Sequence, residues 1–146
     1  MLFRSVRLGT LVLGAPFRPA AFTAHLATTL AALSGGRFDL GLGSGWYAED
    51  FEPFGFDLGT IGSRFGLLED LRARIEEPLA AAGVPVVIGA KGGDRALRLV
   101  ARRGDAWNAA WRVRPDDYAA KVARLRGFAD HVRAVWVAGE RAYVSS

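Results

Sequence analysis

The sequence predicts an α/β fold in which about five parallel strands alternate with helices, and three observations carry that expectation. Short continuous apolar runs recur at residues 6–13, 84–89 and 134–137, as in strands covered on both faces. Longer segments between the strands place apolar residues at helical spacing. Proline stands at the starts of those segments and glycine at their ends, the asymmetry helices favour.

Residues 6–13 read as the first strand. Pro19 opens a helix, where its missing N–H would have no intrahelical partner anyway. Phe22, Leu26, Thr29/Leu30 and Leu33 recur along that helix, and Ser34-Gly35-Gly36 stops it. Residues 37–43 form the second strand, with Phe38, Leu40 and Leu42. Residues 44–62 form a long loop of aromatics (Trp46, Tyr47, Phe51, Phe54, Phe56) and acids (Glu49, Asp50, Glu52, Asp57). The Ser63 hydroxyl is expected to cap the next helix, which carries Phe65, Leu68, Leu71 and Ile75 and runs to about Ala82.

The third strand is 84–89. Gly92-Gly93-Asp94 opens a helix with Ala96, Leu97, Val100 and Ala101, closed by Gly104. Residues 105–109 are a short fourth strand. Pro115 starts a helix with Tyr118, Val122, Leu125 and Phe128, and 134–137 is the fifth strand. This order implies parallel pairing with right-handed crossovers. An open doubly wound sheet and a piece of a (β/α)8 barrel both satisfy it. With no linker or low-complexity stretch, residues 1–146 read as a single domain.

Composition narrows the function classes. The 146 residues suffice for one domain with a core, or for part of a larger one. Absence of cysteine excludes a disulfide scaffold and thiolate metal sites. Apolar residues at 51% and charged residues at 23% are ordinary globular values. No apolar run is long enough to span a membrane. The net charge of +4 comes with 17 Arg and 2 Lys, scattered along the chain. Arg95/Arg98/Arg102/Arg103 and Arg124/Arg126 fall on helical spacing and read as solvated helix faces, not as a nucleic-acid stripe. Residues 1–21 imitate a signal peptide weakly, but the apolar part is short, holds two glycines and runs into Pro16-Phe17-Arg18-Pro19. A buried strand and a cytoplasmic location are expected instead.

Two glycine-rich blocks carry the chemistry. Gly41-Leu42-Gly43-Ser44-Gly45-Trp46 follows a strand, as a dinucleotide fingerprint would. Here the glycines lead into an aromatic–acidic loop instead of a helix, and the third glycine comes one residue early. A loop needing small residues and a ligand pocket walled by Trp46 remain open. Gly89-Ala90-Lys91-Gly92-Gly93-Asp94 joins a strand to a helix N-terminus, where exposed N–H groups and the positive helix end suit a phosphate, with Lys91 as a point charge. It is not a Walker A loop, and a plain turn is the alternative. His25 lies in an apolar helix and His131 at a helix end; neither has partners at metal-ligand spacing. Glu49, Asp50 and Glu52 read as a solvated rim. Trp107-Asn108 ends a strand, where ligands collect in α/β folds.

The residues from Arg7-Leu8-Gly9-Thr10-Leu11-Val12 onward resemble the luciferase-like monooxygenase family. So do Phe17-Arg18-Pro19, Leu33-Ser34-Gly35-Gly36-Arg37-Phe38-Asp39-Leu40-Gly41-Leu42-Gly43-Ser44-Gly45-Trp46, Phe54-Gly55-Phe56, Arg64-Phe65 and Leu68-Glu69. A second block runs from Pro85-Val86-Val87-Ile88-Gly89-Ala90-Lys91-Gly92-Gly93-Asp94 to Gly104-Asp105-Ala106-Trp107-Asn108. The resemblance covers about residues 5–137 and is strongest to the coenzyme F420-dependent branch, with FMN-dependent members as neighbours.

The resemblance implies a partial (β/α)8 TIM barrel and an oxidoreductase that transfers hydride between F420 (or FMN) and a small organic substrate. Thr10, Leu11 and Val12 would form the strand-end bulge, often with a non-proline cis peptide, that backs the ring system. Ser44, Gly45 and Trp46 would line the pocket beside the ring. Gly89, Ala90, Lys91, Gly92 and Gly93 would hold the ribityl-phosphate end, with Trp107 and Asn108 near the tail. Against the family pattern, two βα units are missing before Arg4, the segment between residues 77 and 85 is short, and the last strand is missing after Tyr143. The early-strand His of some F420-dependent members has no counterpart, and Trp46 stands where others place an acid, so the catalytic residues are unassigned. The alternative is a non-catalytic truncated paralogue that binds cofactor weakly or associates with another barrel chain. A homo-oligomer that covers open barrel edges is also expected; no nucleic acid, membrane or metal is.

Overall fold

β3 (Phe38–Gly43) is the central element of the first part of the chain, and every residue in it except Asp39 is buried. In this computed structural model residues 5–109, 114–138 and 141–145 are described. The chain divides into two compact units, Met1–Pro85 and Val86–Ser146. With the two short pieces at the start counted as one strand, five parallel strands alternate with helices.

In the first unit, β1 (Leu8–Gly9) and β2 (Leu13–Gly14) both pair in parallel with β3, with Leu8 opposite Phe38 and Leu13 opposite Leu42. The expected continuous strand is thus broken at residues 10–12. It is also not buried: Val6, Leu8 and Leu11 are 45%, 56% and 66% exposed. Within this unit, and among the described residues, β3 is the one ladder neighbour of these two pieces. Arg7 ties β1 to the turn before β3, donating to Asp39 at 2.5 Å and to the Gly36 carbonyl at 3.2 Å. The Asp39 hydrogen bond raises the Arg7 pKa above its ordinary value, so this clamp stays charged.

α1 (Ala20–Ser34) begins after Pro19, as expected, and ends where Gly35 turns into the left-handed region. The N–H of Gly36 then reaches back to the Ala31 carbonyl at 2.8 Å. The buried stripe is Thr23, Ala27 and Ala31, not the expected stripe; Phe22 and Leu33 are exposed. Both stripes are uncharged, so spacing alone cannot choose between them. Small side chains at positions four apart let the helix backbone approach the sheet, and that packing decides the face.

α2 (Ile61–Arg74) starts three residues earlier than expected. Thr60, not Ser63, is the N-cap. The two form a reciprocal box: the Ser63 N–H donates to Thr60 Oγ1 at 3.1 Å and the Thr60 N–H to Ser63 Oγ at 3.0 Å. The expected run to residue 82 is interrupted at Ile75, after which α3 (Glu76–Ala81) continues. Pro78 explains the break, because its ring crowds the carbonyl four residues back and it has no N–H to donate there.

In the second unit β4 (Val86–Ala90), β5 (Ala106–Ala109) and β6 (Arg133–Ala138) are parallel neighbours in that order. α4 (Asp94–Arg103) and α5 (Pro115–Arg126) make the crossovers. Ile88, Leu97, Leu99, Val100, Trp107 and Leu125 are essentially inaccessible. Phe128, expected inside, is 39% exposed and instead lies under the Arg98 guanidinium at 4.9 Å. β7 (Arg141–Ser145) was not expected: it pairs antiparallel with β6, Val135 opposite Val144. An antiparallel return needs only a tight turn and no helix, so the strand–helix rhythm gives no warning of it. Among the described residues no helix is long and apolar enough to cross a membrane.

Thr60→Ala removes one half of the capping box. It is expected to cost about 1 kcal/mol in urea unfolding followed by circular dichroism, with Ser63→Ala costing no more.

Candidate functional site

The break in the first strand is built by a side chain. Thr10 Oγ1 donates to the Gly41 carbonyl at 2.9 Å and accepts the Gly41 N–H at 2.9 Å. The hydroxyl thus satisfies both main-chain groups of Gly41 where the backbone ladder is interrupted. A Cβ on Gly41 would overlap the Thr10 carbonyl oxygen and sit 2.9 Å from Val12 Cγ1. Glycine is required here by close approach, not by its own backbone angles. The Leu11–Val12 peptide is cis, and the Leu11 side chain is 66% exposed.

Ser44, Gly45 and Trp46 lie just past the C-terminal end of the β2–β3 pair, where Gly14 is opposite Gly43. The register sets residues 10–12 about three positions upstream, roughly 10 Å at the usual strand rise. Gly45 is pinned from beneath, since an added Cβ would be 2.8 Å from Phe51 Cζ. Phe51 is fully buried and packs on Phe17 at 4.4 Å; Phe17 in turn meets Phe56 edge-on at 5.0 Å. Trp46 is 64% exposed, with its ring 5.2 Å from that of Tyr47. From the other side Arg64 Nε donates to the Gly45 carbonyl at 3.1 Å, while Nη1 donates to Leu58 and Gly59 carbonyls at 2.8 and 3.0 Å.

The second unit holds the other glycine block. Gly89 and Ala90 end β4, and Gly89 is the cross-strand partner of Asn108. Lys91 is exposed and Gly93 is the N-cap of α4, with no side chain capping the helix start. Trp107 lies underneath. It is fully buried, its Nε1 donates to the Ala90 carbonyl at 3.0 Å, and its ring stacks on Tyr118 at 5.9 Å. Gly92 has φ 85°, and a Cβ there would be 2.9 Å from the Trp107 ring and 2.8 Å from Lys121 Cδ. Asn108 beside it is 6% exposed. Asp94, the acid of the first helical turn, is held by Arg124 at 2.6 Å.

The structure therefore sets Thr10–Val12 against Gly41, places Ser44–Trp46 at the strand end, and gathers Gly89–Gly93, Trp107 and Asn108 in the second unit. Sequence reasoning gave no role to Arg64 or Lys121. Arg64 carries a signal: a cation in the first turns of a helix opposes the dipole and needs another reason to be there. Lys121 is three residues past Tyr118, on the same helical face. His25, His131 and the rim acids Glu49, Asp50 and Glu52 are exposed. Among the described residues no group of three or more His, Asp or Glu can hold a metal ion.

Residues 4–70 match the family model of the luciferase-like monooxygenases. An uncharacterized protein of Mycobacterium tuberculosis (strain ATCC 25618 / H37Rv) is 31% identical over 121 residues, covering 70% of this chain and 41% of that protein. The phthiodiolone/phenolphthiodiolone dimycocerosates ketoreductase of the same strain is 32% identical over 146 residues, covering 85% of this chain and 38% of that one. Among solved structures, the EDTA monooxygenase of Chelativorans sp. BNC1 superposes with a TM-score of 0.70 at 16% identity, covering 86% of this chain and 42% of that one. That likeness shows the fold, a partial luciferase-like barrel. Residues 4–70 carry the luciferase-like monooxygenase pattern, and the fold agrees with it. It spans about two-fifths of the length of the curated relatives it matches.

Gly41→Ala is expected to destabilise the chain by about 3 kcal/mol, because the clash is with backbone that no side chain rotation relieves. Gly92→Ala is expected to cost about 2 kcal/mol from its positive φ and the Trp107 ring. Urea midpoints at unchanged slope would check both; a cost under a few tenths of a kcal/mol would contradict the close approach.

Proposed function

We propose that this chain is an oxidoreductase that acts through coenzyme F420, or alternatively FMN, on a small organic substrate. The observation that carries the reading is the glycine loop 89–93. Its strand end is fixed from below by the Trp107 indole, Gly92 leaves a cradle that a Cβ would fill, and α4 starts without a side-chain cap. Such a loop suits a phosphate through main-chain N–H groups and the positive helix end. Lys91 and Lys121 add positive charge, while Arg124 neutralises the Asp94 carboxylate that would repel an anion. Trp107 and Asn108 are read as supports of this loop.

In the first unit, the exposed faces of Leu11 and Trp46 offer flat apolar walls of the kind a ring system needs. Thr10 holds the first wall through Gly41. When bound, the deazaflavin or flavin supplies the hydride-carrying ring, and the protein supplies orientation and exclusion of water. The ketoreductase relative supports a reductive direction, and the motif resemblance supports F420 over FMN. Self-association through the exposed first strand, where Val6 and Leu8 face outward, belongs to the same proposal.

Titration of the purified chain with F420 and with FMN, followed by absorbance, tests the reading. Saturable binding of one of them is expected, weakened about tenfold in Lys121→Gln, which corresponds to about 1.4 kcal/mol. No saturable binding of either at high micromolar concentration would overturn it and favour the non-catalytic alternative.

A further inference from the structure

We propose that Arg64 is a positioning residue for the wall formed by Ser44, Gly45 and Trp46. The inference rests on the reading of those residues as the ring wall. Arg64 is 7% exposed, and among the described residues its guanidinium is met by carbonyl oxygens and by no carboxylate. Its three acceptors belong to the two ends of one excursion: Gly45 at the start, Leu58 and Gly59 at the finish. A single planar fork therefore closes residues 45–59 into one loop.

Stability alone is a poor reason for this arrangement. A buried cation is costly to desolvate, and among the described residues no carboxylate offsets that cost. The helix end it occupies is itself positive, which adds to the cost. What the fork provides is geometry, because two donors at fixed angles define the position of the carbonyls they meet. The Thr60–Ser63 box fixes the start of α2 and hence the place of Arg64, the next residue after the box. Phe51 supports Gly45 from beneath and Arg64 holds its carbonyl, so the peptide leading to Trp46 has its plane set from two sides.

Two variants of the full chain separate position from mere stability. Arg64→Lys keeps the charge and gives up the fork; Arg64→Met keeps the apolar stem and gives up both. Hydrogen exchange of amides 44–59 is read alongside the dissociation constants for F420 and FMN, well below the melting temperature. Leu99→Ala, in the core of the second unit, serves as a variant of lowered stability that leaves the loop's own contacts unaltered. The expected result is faster exchange across 44–59 and at least tenfold weaker cofactor binding in Arg64→Met, an intermediate loss in Arg64→Lys, and unchanged binding in Leu99→Ala. Folded Arg64→Met with wild-type exchange in 44–59 overturns the clamp. Faster exchange with wild-type binding reduces Arg64 to a structural role and overturns the positioning. If Arg64→Met does not fold, Arg64→Lys with wild-type binding overturns it equally. If the wild-type chain binds neither cofactor, the ring-wall reading fails and this role with it, while exchange alone still decides whether the clamp exists.

Discussion

The close crossing of Thr10 over Gly41 is the constraint on which the first unit depends. One hydroxyl takes the place of two ladder partners, donating to the Gly41 carbonyl and accepting from its N–H. This lets the chain leave the sheet at residues 10–12 and return at β2 with its register against β3 shifted by one residue, Gly9 being opposite Asp39 and Leu13 opposite Leu42. The approach is close enough that no Cβ fits on Gly41. Were the strand continuous, Leu11 would be an ordinary ladder residue. Because it is broken there, Leu11 stands out from the sheet with an exposed side chain.

The second unit solves a related problem with a different group. A glycine loop at a strand end is intrinsically loose, since glycine loses more freedom on ordering than any other residue. Trp107 supplies the missing constraint from the neighbouring strand. Its indole N–H holds the Ala90 carbonyl, and its ring fills the space beneath Gly92. Tyr118 backs the ring from α5, so helix, strand and loop share one aromatic contact. Trp107, which the resemblance puts near the cofactor tail, is fully buried and supports the loop.

How much of this was legible depended on whether the signal was local. The caps at Pro19, Gly35 and Gly93, and the strands around Leu40, Ile88 and Trp107, follow from residues within a few positions of one another. The two glycine blocks were legible as strand-end segments for the same reason. The buried face of α1 was not: Phe22 and Leu33 form as good an apolar stripe as Thr23, Ala27 and Ala31, and only the sheet's need for a thin helix surface selects the second. Ser63 and Thr60 are both capping residues, and the choice rests on which one the chain presents at the helix start. β7 was invisible because an antiparallel return carries no helix to announce it. Arg64 gave a local sign, a cation near a positive helix end, but its three acceptors lie up to nineteen residues away.

By itself the sequence determined the α/β rhythm, the family resemblance, and the two glycine-rich segments at strand ends, since periodicity, turn chemistry and motif order are properties of neighbouring residues. Tertiary structure alone decided that the first strand is broken and exposed, that Thr10 rather than backbone completes the pairing of Gly41, and that Arg64 and Trp107 hold the loops through their carbonyls. Each of these is a hydrogen bond or steric exclusion between residues seventeen or more positions apart. Such pairs exist only once the chain has folded, because nothing in the local pattern states which distant carbonyl a donor will meet.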